Sequence, residues 1–184
     1  MTLYRNRYRV ESARKQGFDY SSAGYYYLTV CTCNMVHLFG EIINHEMVLN
    51  EYGDIVHQEW FKSFEIRREL QSDEFIVMPN HIHGIVRIVR PPAEAQSCRN
   101  PEIADCSELV NREGCPLTPK SISSFMAGVK SAITTRINIS RGTPGKPVWQ
   151  PRFYDSIIRD DASLFRVREY IRNNPKKWGQ DPMK

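Results

Sequence analysis

DEFIVMPNHIHGIVRIV (Asp73–Val89) contains two runs of apolar and β-branched residues that meet at Pro79-Asn80. Runs of this kind, broken by turn residues, predict two strands, about Asp73–Met78 and Ile82–Val89, joined by a tight connection. His81 and His83 stand at i and i+2 at the start of the second run. Successive strand side chains point to opposite faces, so both imidazoles share one face while Ile82 enters the other. Their ring nitrogens are then expected within about 4–5 Å of each other, close enough to share a metal ion. An H-x-H by itself arises by chance more often than as a site, so a third ligand must come from elsewhere in the chain.

Outward from this centre, YYYLTVCTC (Tyr25–Cys33) reads as a buried strand after the turn signal Ser21–Gly24. Leu38–Leu49 reads as a small hairpin with Asn44-His45-Glu46 near its tip. Asn50 caps a helix from Glu51 to about Arg67, with Ile55, Val56, Trp60 and Phe64 at helical spacing. Ser121 caps a second helix whose apolar face is Ile122, Phe125, Met126, Val129, Ile133 and Ile137. Val148–Arg159 is the expected last strand, and Asp160 or Asp161 opens a third helix that Pro175 ends. This order predicts an α+β domain, a ferredoxin-like split βαβ antiparallel sheet with one helix added at the C-terminus. The chain is read as one domain over residues 1–184. Its segment 91–119, rich in Pro, Ser, Asn, Glu and Cys and without periodicity, is read as a mobile insertion.

Composition narrows the partners. Apolar residues make up 41% of the 184 and charged residues 25%, which excludes disorder as the default. The net charge of +4 is mild, but it is unevenly placed. Arg5, Arg7, Arg9, Arg14 and Lys15 face one acid, Glu11, in the first 15 residues, and Lys120–Arg152 holds six cations with no Asp or Glu. That pattern favours a polyanion. Arg5, Arg7 and Arg9 are candidates for an arm along a phosphate backbone, and Lys120, Lys130 and Arg152 for a groove. Charge runs are more often solvated faces. Trp149 could stack on a base, although core packing is the commoner fate of such a residue. His37, His45 and His57 lack ligand spacing and are read as structural.

The five cysteines are odd in number and irregularly spaced, and no apolar leader follows the N-terminal charges. Reduced thiols in a cytoplasmic protein are the expectation. No apolar run is long enough to cross a membrane.

The third helix carries Tyr170 and Asn174 at i and i+4, one above the other. A tyrosine suits transesterification on phosphorus, since the phosphotyrosine keeps the energy of the broken bond. A metal held by two imidazoles and one amide oxygen would polarise the phosphate. From the helix alone, Tyr170 as a core residue and Asn174 as a simple helix end stand as an equal alternative.

Together PNHIHGIV (Pro79–Val86), WQPRFYDSIIRD (Trp149–Asp160) and REYIRNNPKKW (Arg168–Trp178) resemble the REP-associated tyrosine transposases, relatives of the single-tyrosine insertion-sequence transposases of the HUH superfamily. The resemblance runs from about Tyr4 to Trp178, apart from 91–119. It implies a ferredoxin-like fold, His81 and His83 as metal ligands, Tyr170 as nucleophile and Asn174 as third ligand. It also implies Mg²⁺ or Mn²⁺ as cofactor. The implied substrate is single-stranded or hairpin DNA, as in repeated extragenic palindromes, cut through a covalent 5′-phosphotyrosine. A homodimer is compatible with it. Ser156 departs from the pattern, since many relatives have His there. Two alternatives stay open: a mobile-element transposase of the insertion-sequence branch, and a non-catalytic DNA-binding relative.

Overall fold

The computed structural model describes residues 19–89 and 121–180, together with the backbone of two short antiparallel strands, β1 (Leu3–Tyr4) and β2 (Tyr8–Arg9). The expected insertion at 91–119, Arg5, Arg7, Lys120 and the side chain of Arg9 lie outside the described residues.

β3 (Gly24–Cys31) is followed by the hairpin β4 (Gly40–Ile43) and β5 (Glu46–Leu49), then α1 (Glu51–Ile66), β6 (Leu70–Met78) and β7 (His81–Ile88). After these come α2 (Ile122–Ser140), β8 (Tyr154–Ile158), α3 (Asp161–Asn173) and a 3₁₀ turn, Pro175–Gln180. The main sheet has the order β6-β7-β3-β8, with every neighbouring pair antiparallel. β3 and β6 are therefore parallel with β7 inserted between them, which is the split βαβ arrangement. The fold is α+β, as the order of predicted elements implied.

Each helix starts where a short polar side chain replaces its missing partners. Asn50 accepts hydrogen bonds from the amides of Tyr52 and Gly53, Ser121 from Ser124, and Asp160 from Ser163. Caps of this kind contribute about 1 kcal/mol each.

Two strand boundaries depart from expectation. β8 begins at Tyr154, not Val148. Val148–Gln150 does run beside Cys31–Cys33, through Cys33 N–H to the Val148 carbonyl at 2.8 Å and Gln150 N–H to the Cys31 carbonyl at 2.9 Å. Pro151 then has no amide hydrogen to continue the ladder, and pairing resumes three residues later. β6 begins at Leu70, and a bulge between Ser72 and Phe75 inserts one extra residue.

The main core lies between the sheet and α1 and α2. Tyr26, Leu28, Val30, Ile82 and Val86 project from the sheet onto Trp60, Phe125, Met126, Val129 and Ile133. Trp60 stacks on Phe75 with ring centroids 4.3 Å apart, and its indole N–H donates to Ser72 Oγ at 3.0 Å. Gly84 makes this possible, because a Cβ there would stand 2.6 Å from the Trp60 ring.

α3 crosses the opposite face over a smaller cluster of Ile85, Leu164 and Ile171. It is also held by charge. Arg168 grips Asp73 with two hydrogen bonds, at 2.7 and 2.5 Å, and Arg172 pairs with Glu74. Both acids belong to the β6 bulge, so the extra residue presents two carboxylates to the helix.

Candidate active site

The pleat sorts β3 and β7 into two sets. Facing α3 are Tyr25, Tyr27, Thr29 and Cys31 from one strand and His81, His83 and Ile85 from the other, with Thr29 opposite His83 and Cys31 opposite His81. Both histidines are fully buried. Their Nε2 atoms are 3.0 Å apart, closer than strand spacing alone suggests. That is less than two metal–nitrogen bonds of about 2.0–2.1 Å, so one cation can touch both.

The far nitrogen of each ring is engaged. His81 Nδ1 is 2.7 Å from Asn80 Oδ1, an acceptor that calls for a proton on Nδ1 and leaves the Nε2 lone pair toward its neighbour. His83 Nδ1 meets two hydroxyls, Tyr27 at 2.8 Å and Thr29 at 2.9 Å. Burial, and then the adjacent His81, hold the His83 pKa well below the ordinary imidazole value. The ring is therefore neutral, the form that binds metals. Burial likewise raises the Tyr27 phenol above its usual range, against a lowering hydrogen bond from Thr29.

α3 supplies the third side. The Tyr170 ring lies 5.3 Å from His83 and 6.3 Å from Tyr27 by centroids, and Tyr170 is 41% exposed, so it is not a core residue. Trp178, in the following turn, lies 6.0 Å from His81. Asn174 falls midway between them along the chain. It ends the helix and is buried, yet its Oδ1 has no hydrogen-bond partner. Unsatisfied buried oxygens are rare, and this one belongs to the turn that spans the two histidines. Two imidazoles and one unspent amide oxygen are donors that suit a divalent cation and leave positions for other ligands. Among the described residues no cluster of three or more His, Cys, Asp or Glu could hold a metal.

Other expectations are placed differently. Lys130 turns inward, and its ammonium donates to the carbonyls of Gln150 at 2.7 Å and Pro151 at 3.1 Å. Burial pushes its pKa down to about 8, and it steadies the approach to β8 rather than lining a groove. Arg152 is exposed beside it. Trp149 is buried against Phe39, with centroids 5.1 Å apart, which makes it core. Ser156 sits opposite Tyr27 in register, on the side of the histidines.

Tyr154, from its sequence position an ordinary strand residue, joins the site. It lies opposite Thr29, 49% exposed, with its ring 6.3 Å from that of Tyr27. Tyr27, Thr29 and Asn80 were missed. The Y-Y-Y-L-T alternation does put Tyr27 and Thr29 on one face, but only the pairing register shows that this face meets His83.

No protein-family model matches the chain. A Haemophilus influenzae protein, described only as uncharacterized, is 35% identical over 172 residues, which cover 94% of this chain and 91% of that one. The structure of a REP-associated tyrosine transposase bound to a REP hairpin superposes with a TM-score of 0.56 at 18% identity, over 91% of this chain and 76% of that chain. A Deinococcus radiodurans protein assigned as a transposase is more distant, with a TM-score of 0.47 and 16% identity over 87% of this chain and 97% of its own. The chain thus belongs to one family with the Haemophilus influenzae protein, and its fold is that of a REP-associated tyrosine transposase.

Proposed function

We propose that the protein cleaves single-stranded or hairpin DNA and transfers the strand through Tyr170. One observation carries this reading: an exposed tyrosine ring stands 5.3 Å from one of two buried imidazoles whose nitrogens converge at 3.0 Å. His81, His83 and Asn174 would hold Mg²⁺ or Mn²⁺. A bound cation would polarise the scissile phosphate and offset the charge that builds up on it. The Tyr170 oxygen forms its bond to phosphorus as the bond to the 3′ oxygen breaks. The phenol gives up its proton, the departing 3′ oxygen gains one, and the 5′ phosphate stays on Tyr170 as a diester. Tyr27 and Thr29 keep His83 turned toward His81, and Asn80 does the same for His81. The REP hairpin bound by the structural neighbour makes palindromic hairpins the first substrates to test.

Tyr170→Phe removes one oxygen, so DNA binding should stay within about twofold, well under 1 kcal/mol, while cleavage and the covalent adduct disappear. Denaturing gels of labelled hairpins incubated with Mn²⁺ read both. Tyr154→Phe is the stringent control, since its ring reaches Tyr27 but has no described contact with either histidine. An adduct that persists without Tyr170 and vanishes without Tyr154 would reassign the nucleophile. Cleavage in both variants without any adduct would mean hydrolysis by water.

A further inference from the structure

We infer that the cleft between the β4–β5 hairpin and the turn after α3 binds the DNA backbone next to the cleavage point, with Lys176 and Lys177 as its phosphate contacts. The inference rests on the single-strand reading above and adds where the strand runs.

The cleft has a volume of about 240 Å³ and is lined by Ile42, His45, Lys176, Lys177 and Trp178, among others. Trp178 ties it to the candidate active site, because the indole that lines it lies 6.0 Å from the His81 ring. The cleft therefore lies beside the candidate active site, with the buried Trp178 ring between the two. The part-exposed side chain of Ile42 offers a base an apolar surface, and the flanking ammonium groups suit its phosphates.

Charge selects this cleft over the rest of the surface near the site. Both lysines are exposed, and no described carboxylate forms an ion pair with either. Glu46, beside His45 in the hairpin, does not line the cleft. On α3, Arg168 is paired with Asp73 and Arg172 with Glu74, while Arg166 bonds the Ser163 hydroxyl on the side of Asp160. A larger hollow of about 400 Å³ opens beside Tyr154 and Ser156, but Asp155 and Asp160 line it together with Arg159. Two carboxylates against one guanidinium disfavour a phosphate there.

The test is fluorescence anisotropy of a labelled oligothymidylate across a salt series, in EDTA so that no metal contributes. Lys176→Gln/Lys177→Gln should weaken binding and make the log–log salt slope shallower by about 1.4, at roughly 0.7 per lost phosphate contact on a single strand. Lys176→Arg/Lys177→Arg should keep the wild-type slope, and Arg159→Gln should change it less than the glutamine pair does. An oligonucleotide carrying 5-iodouracil should crosslink to peptides containing His45 or Trp178. An unchanged slope in the glutamine pair, or crosslinks confined to the Tyr154 side, overturns the assignment and leaves Tyr170 chemistry standing. A wild type whose affinity does not depend on salt removes the single-strand reading itself.

Discussion

The two faces of the main sheet share the same strands and differ in almost everything else. Toward α1 and α2, β3 and β7 present Tyr26, Leu28, Ile82 and Val86, and the contacts are nearly all apolar. Toward α3 the alternate residues are Tyr27, Thr29, His81 and His83, joined by hydrogen bonds. A pleated strand can thus divide its work residue by residue, with stability on one side and chemistry on the other. The polar face needs other means to hold its helix. Arg168–Asp73 and Arg172–Glu74 supply some, though partly exposed pairs contribute only about 0–1 kcal/mol each.

If this division is right, the largest stability losses belong to the α1/α2 face. Trp60→Ala should cost about 3–5 kcal/mol in denaturant unfolding. Gly84→Ala, which forces a Cβ to 2.6 Å from Trp60, should cost about 1–3 kcal/mol through overpacking. His83→Ala should cost less than Trp60→Ala, about 1–3 kcal/mol from polar partners left behind, while abolishing Mn²⁺ binding. Equal losses from His83→Ala and Trp60→Ala would erase the distinction between the faces.

A finer comparison lies within the polar face. Thr29→Val and Tyr27→Phe each remove one of the two hydroxyls at His83 Nδ1. Each should lower Mn²⁺ affinity by up to about 10–100-fold in calorimetric titration, with unfolding changed little. If only Thr29→Val acts, Thr29 alone orients the ring.

The smallest effect concerns Lys130, at the seam between α2 and the approach to β8. Its pKa is lowered from 10.5 to about 8 by burial. Below pH 8 both states carry the proton and the folded one bears the cost of burying it. Between pH 8 and 10.5 the unfolded chain binds more protons, so stability rises with pH. Wild type should therefore gain stability relative to Lys130→Met across that window. A constant difference between them would show that the two carbonyl bonds fully offset burial.

Features that depend on neighbours a few residues apart were legible in the sequence. The helix starts at Asn50, Ser121 and Asp160 follow from side chains that reach amides two or three residues on. The shared face of His81 and His83 follows from the period of a strand, and the apolar stripe of α2 from that of a helix. Those periods, with the turn residues between them, were enough to imply the α+β order. What required the tertiary structure depends on long-range pairing. Tyr27 and Thr29 reach His83 from 56 and 54 residues away through a strand register that no local pattern encodes. The docking of α3 set Tyr170 over His83 and Trp178 beside His81, and it joins Leu164 and Ile171 to Ile85 and two arginines to carboxylates in a β6 bulge nearly a hundred residues earlier. Lys130 looked like a surface cation because its charge is visible in the sequence, whereas the two carbonyls that draw it inward belong to a loop whose position only the folded chain determines.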